Sequence, residues 1–174
     1  GSENWYKFLV MEQGYYQLEF SLTSNTDVSG IGYGWDISIY SGKDIVNVLK
    51  SYGSVKNNMK TPKMALEPGN YYVKVSGVYG KAAGCEYSLG MNFTTDITWE
   101  FENNNTQETA NLIEVNKIYN GQLLSKQDVD WYKVDITETG ILTMNFLFNA
   151  DTDATYISGG WNIYFYDKDM NVIS

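Results

Sequence analysis

A chain of 174 residues with 43% hydrophobic, 19% charged and 16% aromatic residues can build a globular core and is not composed like a disordered segment. Its 12 basic and 21 acidic residues leave a net charge of −9, which argues against a phosphate-tracking nucleic-acid binder and against docking on an anionic membrane. There is no histidine and Cys85 is the one cysteine, which removes Ser-His-Asp and Cys-His catalysis, histidine-bearing zinc sites, thiolate clusters and an internal disulfide.

Taken in chain order, the predicted elements are almost all strands. Tyr16, Leu18, Phe20 and Leu22 alternate with polar residues over 15–22, the period of a half-buried strand. Residues 35–40 alternate in the same way. Glu67-Pro68-Gly69-Asn70 is a turn signal that leads into a strand over 71–75, and 86–91 makes another. Residues 107–113, with Ala110, Leu112 and Ile113, are the one stretch with a helical look. Strands return over 141–148, with Leu142, Met144, Phe146 and Phe148 expected to face inward, and over 161–166. Short strands between glycine turns predict an all-β, antiparallel, jelly-roll-like sandwich. No apolar run approaches the ~18 residues of a membrane helix. No signal peptide opens the chain, and Gly1-Ser2 reads as a cloning remnant.

The chain also repeats itself. Asn4-Trp5-Tyr6-Lys7-Phe8 returns as Asp130-Trp131-Tyr132-Lys133-Val134, Gly14 as Gly140, Phe20 as Phe146 and Gly34-Trp35 as Gly160-Trp161. The offset is constant at roughly 126 positions, with about 14 identities in roughly 45 aligned positions, the signature of tandem units. The repeat divides the chain into a first unit over 1–95, lacking its leading segment, and a linker plus second unit over 96–174, which stops partway through the pattern. Half a core and open strand edges invite self-association through the second unit.

The densest polar constellation is Trp99-Glu100-Phe101-Glu102-Asn103-Asn104-Asn105. In an extended segment Glu100, Glu102 and Asn104 share one side. With Asp128 and Asp130 they could supply the oxygens that Ca²⁺ requires; the alternative is a solvated acidic linker. Asn149 to Asp153 is a weaker candidate, explained equally by a polar loop, and Asp167 with Asp169 reads as a turn. Trp5, Trp35, Trp131 and Trp161 recur in both units, which a shared core explains more simply than a shared ligand. In Tyr71-Tyr72-Val73 one tyrosine must face away from the core, and with Tyr79 it could stack on a sugar ring or a proline-rich peptide. Cys85 reads as an inert, buried or half-buried thiol.

Assembled, these pieces resemble a known family. Glu100-x-Glu102-x-Asn104-Asn105, Ala110-Asn111-x-Ile113, Tyr119-x-Gly121-x-Leu123, Asp128-Val129-Asp130-Trp131-Tyr132 and the Pro68-Gly69-x-Tyr71-Tyr72 hairpin follow the order seen in the bacterial pre-peptidase C-terminal domain. That family includes the collagen-binding domains of clostridial collagenases. The resemblance implies a sandwich attached to a secreted or surface bacterial protein. It also implies Ca²⁺ held by Glu100, Glu102, Asn104, Asn105 and Asp130, with Asp128 as a further ligand. Asn105 stands where relatives often carry aspartate, and a lower ligand charge weakens Ca²⁺ binding. Asn4 replaces Asp130 in the first unit, so at most one such site is expected. Of the collagen-contacting positions, Tyr72 alone carries over.

The expected function is therefore a non-catalytic, calcium-binding accessory or adhesion module that contacts an extracellular protein fibre or polysaccharide. The alternative is a structural spacer with calcium-stiffened joints. An exposed aromatic patch separates the two, because a spacer needs none. A glycosidase built on the paired carboxylates is disfavoured, since its acids must face each other across a substrate cleft.

Overall fold

The computed structural model describes residues 3–23, 34–77, 85–124, 127–148 and 160–173. Two compact units emerge, Gly1–Glu138 and Thr139–Ser174. The division falls later than the 95/96 boundary of the sequence repeat, because residues 96–138 gather against the first sandwich.

In the first unit, strand β1 (Glu3–Val10) pairs antiparallel with β6 (Gly69–Gly77), β6 with β3 (Trp35–Ser41), and β3 with β4 (Lys50–Val55). The opposing sheet sets β2 (Gly14–Leu22) between the short β5 (Met59–Lys60) and β7 (Tyr87–Thr95). The alternation read from the sequence decides which face each strand buries. Tyr16, Leu18 and Phe20 from β2 meet Ile37, Ile39, Tyr71, Val73 and Val75 from the facing sheet, all buried. This is an antiparallel β-sandwich.

Aromatic contacts fix the layer. Phe20 and Trp35 lie with ring centroids 5.4 Å apart, and Tyr87 stacks on Phe20 at 5.2 Å. Gly14 opens β2 at φ +152°, and a β-carbon there would strike the Thr94 carbonyl of β7. Glycine is required at that position on both counts.

Several expectations change. Trp35 is buried, but Trp5 is 50% exposed on the outward side of β1, so the tryptophans are not one shared core. The stretch expected to be helical instead forms a 3₁₀ turn, Gln107–Thr109, followed by β8 (Asn111–Ile113), which pairs parallel with β9 (Tyr132–Val134). Asn111 draws that segment into extended form: its amide nitrogen donates to the Trp131 carbonyl at 2.9 Å, where a helix would need an internal acceptor. Tyr71 is buried and Tyr72 half-buried, the division the alternation demands. Cys85 is a half-buried free thiol.

Within Thr139–Ser174, residues 141–148 and 161–165 form no named strand. Leu142, Met144, Phe146 and Phe148, expected to face inward, are exposed. A strand needs a laddered neighbour to satisfy its backbone, and no ladder partner is paired with 141–148 among the described residues. The hairpin around Asp167 is formed, with Tyr166 and Val172 bridged and Ile173 N–H donating to the Phe165 carbonyl at 2.9 Å. The Asp167 carboxylate accepts from the Asp169 and Asn171 amides, the turn expected there. The loop over 149–153 and Tyr79 lie outside the described residues. No helix among the described residues is long and apolar enough to cross a membrane.

Candidate metal centre

The segment after β7 is held by contacts along its length. Asp96 caps it, accepting from the Thr98 amide at 2.9 Å and the Thr98 hydroxyl at 2.7 Å. Gln13 Nε2 donates to the Trp99 carbonyl at 2.6 Å, and Lys63 Nζ sits 4.1 Å above the Tyr15 ring and 5.6 Å from that of Trp99. Glu100 N–H then donates to Asn120 O at 2.9 Å, and Asn120 N–H to Thr98 O at 2.7 Å. Asn111 grips the next peptide with its side chain, accepting from Phe101 N–H at 2.7 Å and donating to Phe101 O at 2.9 Å. Trp131 N–H donates to Asn104 O at 2.9 Å. Held extended from both sides, the segment turns Glu100, Glu102 and Asn104 inward and leaves Phe101, Asn103 and Asn105 outward.

Three carboxylates converge there. One oxygen each from Glu100, Glu102 and Asp130 lies within 4.8 Å of the others. Two oxygens bound to one Ca²⁺ at about 2.4 Å sit at most about 5 Å apart, so a single ion can touch all three. Glu100 is oriented from behind: its Oε1 accepts from Gln122 N–H at 2.6 Å and its Oε2 from the Tyr132 hydroxyl at 2.9 Å. Gly121 makes room for this arrangement, since a β-carbon there would collide with the Tyr132 hydroxyl and come within 2.6 Å of Glu100 Oε2.

The electrostatics are those of carboxylates crowded together out of water. Burial pushes the Glu100 carboxyl up to about 9, with the Asp130 charge adding to it, while the Gln122 and Tyr132 hydrogen bonds pull the other way. Burial likewise raises Glu102 to about 7, with help from Asp128 and Asp130. Asp130 is raised by burial, against a hydrogen bond with Glu100 that pulls the other way, and the Asp128 charge adds a smaller push upward. Tyr132 leaves 38% of its surface exposed, yet its hydroxyl is turned inward, and burial with the Glu100 charge makes it harder to ionise.

Buried polar atoms normally have partners. Here Glu102 Oε1, Asp130 Oδ1, Asn104 Oδ1, Asn104 Nδ2 and Gln122 Oε1 have none. Four of these are oxygens, the donor a hard divalent cation takes.

The sequence candidates divide accordingly. Glu100, Glu102 and Asn104 are buried and Asp130 half-buried, and the three acids are brought together. Asn105 is exposed and its Oδ1 is engaged by the Val129 amide at 2.9 Å. Asp128 accepts from the Leu124 amide and stands outside the three-carboxylate group, acting on it through charge. Tyr72 lies elsewhere, on the outward face of β6. Sequence reasoning missed Gln122 and the supporting roles of Tyr132 and Gly121. Tyr132 and Gly121 were inside quoted motifs, whereas Gln122 carried no signal, because a lone glutamine has no spacing rule.

No family model matches this sequence, and no curated protein matches it. Among solved structures, similarity extends to the pre-peptidase C-terminal domain of a collagenase from Bacillus anthracis. The identity is 17% and the TM-score 0.40, over 52% of this chain and 76% of that one. The domain type is the one the motifs resemble, and its source is Bacillus, not a clostridium. The overlap is too loose to carry any residue's role across.

Proposed function

We propose that this chain is a non-catalytic accessory module of an exported or surface bacterial protein, that its buried acidic site holds Ca²⁺, and that an outward sheet face contacts an extracellular protein fibre or polysaccharide. The observation that carries the metal reading is the set of buried oxygens without partners on Glu102, Asn104, Gln122 and Asp130, together with three carboxylates gathered within reach of one ion. An ion touching Glu100, Glu102 and Asp130 would satisfy the two carboxylate oxygens among them. Calcium fits better than magnesium, which prefers water and near-ideal octahedral geometry, and neutral carboxamides are ordinary calcium ligands.

The adhesion reading draws on a different face. Trp5 of β1 and Tyr40 of β3 have ring centroids 5.3 Å apart, with Lys74 Nζ 5.7 Å from one and 5.9 Å from the other. Tyr72 pairs across β6 and β3 with Tyr40, and Lys7 Nζ lies 6.0 Å over its ring. Tyr40 is buried beneath this face, so the ring area open to a ligand is that of Trp5 and part of Tyr72; rimmed by lysines, it suits a hydroxylated or proline-rich ligand and favours a binding module over a bare spacer.

The test is thermal unfolding of EDTA-treated protein with and without millimolar Ca²⁺. A native-state ligand at 100 times its Kd adds about 2.7 kcal/mol, equivalent to roughly 10 °C for a domain of this size. That rise should vanish in Glu102→Ala. An unchanged midpoint in the parent protein would return the segment to a solvent-screened acidic linker.

A further inference from the structure

Glu100, the first carboxylate of the acidic site, is held from two directions. Asn120, Gln122 and Tyr132 grip it from within 96–138. The opposing contacts come from the first sandwich and converge on Trp99, the residue just before it. Gln13, between β1 and β2, donates its Nε2 to Trp99 O at 2.6 Å and to Ile97 O at 3.3 Å. Trp99 is buried, and its ring packs on Tyr15 of β2 with centroids 5.5 Å apart. Lys63 Nζ stands 4.1 Å from the Tyr15 centroid and 5.6 Å from that of Trp99.

The lysine is itself anchored. Met64, the next residue, exchanges both backbone bonds with Tyr16 at 2.9 Å, which fixes the Lys63 backbone beside Tyr15. Trp99 Nε1 is buried without a hydrogen-bond partner, so the indole is seated by ring and cation contacts. Successive side chains leave an extended backbone on opposite sides. An indole seated on Tyr15 therefore sends the Glu100 carboxylate the other way, toward Glu102 and Asp130.

We infer that Lys63 is a positioning residue for the acidic site: its ammonium, laid over Tyr15 and against Trp99, fixes the backbone from which Glu100 is presented to the proposed calcium ion. The inference rests on the calcium reading and extends it, by making the first sandwich a determinant of affinity. Charge alone predicts the opposite sign. A lysine near a cation site repels the ion, so on electrostatic grounds its removal should tighten binding. A positioning role makes its removal weaken binding.

The test is calorimetric titration of calcium chloride into the EDTA-stripped 174-residue protein and its variants. Lys63→Ala should weaken binding by about tenfold, the lower end of what disturbed ligand supports cost. Lys63→Arg, whose guanidinium also stacks on aromatic rings, should restore the parent affinity. Lys60→Ala is the charge-matched control, since Lys60 pairs with Glu19 at 2.9 Å, and it should bind as the parent does or more tightly. In EDTA, amide hydrogen exchange at Glu100 and Phe101 should be faster in Lys63→Ala than in the parent or in Lys63→Arg. Lys63→Gln, milder on packing, should move both readouts the same way. Unchanged or tighter binding in Lys63→Ala and Lys63→Gln, or equal weakening in Lys60→Ala, overturns the inference and leaves the metal reading in place. A parent protein that binds no calcium defeats the metal reading and this inference with it.

Discussion

The sandwich core and the acidic site bury their side chains almost equally, by opposite means. Leu18, Phe20, Ile37 and Ile39 lose all exposure among apolar neighbours, and each is stabilised by that burial alone. Glu100, Glu102 and Asn104 are nearly as inaccessible, but burial works against them until something satisfies their oxygens. The core is complete as the chain folds, while the acidic site keeps buried oxygens without hydrogen-bond partners. Stability should therefore respond to solution conditions at the site and remain indifferent to them in the core.

The largest effect that would sharpen this contrast is in the core. Phe20→Ala should cost about 3–5 kcal/mol, measured by urea unfolding, and by the same amount with calcium or with EDTA. A cost that depended on calcium would merge the two regions and break the comparison.

Glu102→Gln should invert the usual sign of a buried mutation. It removes a like charge beside Asp130 and Asp128, so the metal-free protein should gain about 1 kcal/mol, within the range of single polar changes. The same variant should lose the calcium-induced gain. Paired melting curves in EDTA and in calcium would check both arms.

The pH dependence follows from the raised carboxyls. Glu100 and Glu102 have folded values of about 9 and about 7, against 4.5 for an ordinary glutamate. Between 4.5 and those values the native state holds protons that the unfolded state has released, so stability must fall as pH rises. In EDTA the melting point should be highest near pH 5 and decline through pH 7 to 9. Saturating calcium holds the groups ionised and should remove that decline. A flat profile in EDTA would show that the carboxyls are not buried in this way.

Gly121→Ala should act more gently. Its methyl group would press on the Tyr132 hydroxyl and Glu100 Oε2, and disturbing groups that orient a ligand typically costs 10–100-fold in metal affinity. Calorimetric titration should show weaker calcium binding with the EDTA-state melting point little changed. Trp5→Ala should cost about 1 kcal/mol, since its ring covers Tyr40 and such aromatic pairs contribute about 0.5–1.5 kcal/mol, while weakening any ligand held on the outward aromatic face.

Much of this was legible in the residues themselves. Period-two alternation named the buried faces of β2, β3 and β6, because a strand with one wet side has no other solution. The same period placed Glu100, Glu102 and Asn104 on one side. Sequence could not assign Trp5, since its strand alternates between two faces and the tryptophan sits on the polar parity. Nor could it see that Asn111 pairs its backbone with Trp131 to start β8 while its side chain replaces a ladder partner for Phe101. Gln122 was invisible for a related reason. Its backbone amide serves Glu100, and its side chain matters only through the buried position that the fold gives it.

The separation of Glu102 from Asp130 along the chain has a further consequence. An ion shared by these two carboxylates ties the linker to the start of β9, closing the intervening stretch into a loop. The entropy removed from the unfolded chain by such a closure is of the size a disulfide removes, about 3–4 kcal/mol in the chain-entropy account. Cys85 has no other cysteine to pair with inside the chain, so a covalent staple is closed to it. A cation bound as proposed would supply the same topological restraint in reversible form, fastened or released by the calcium activity of the medium.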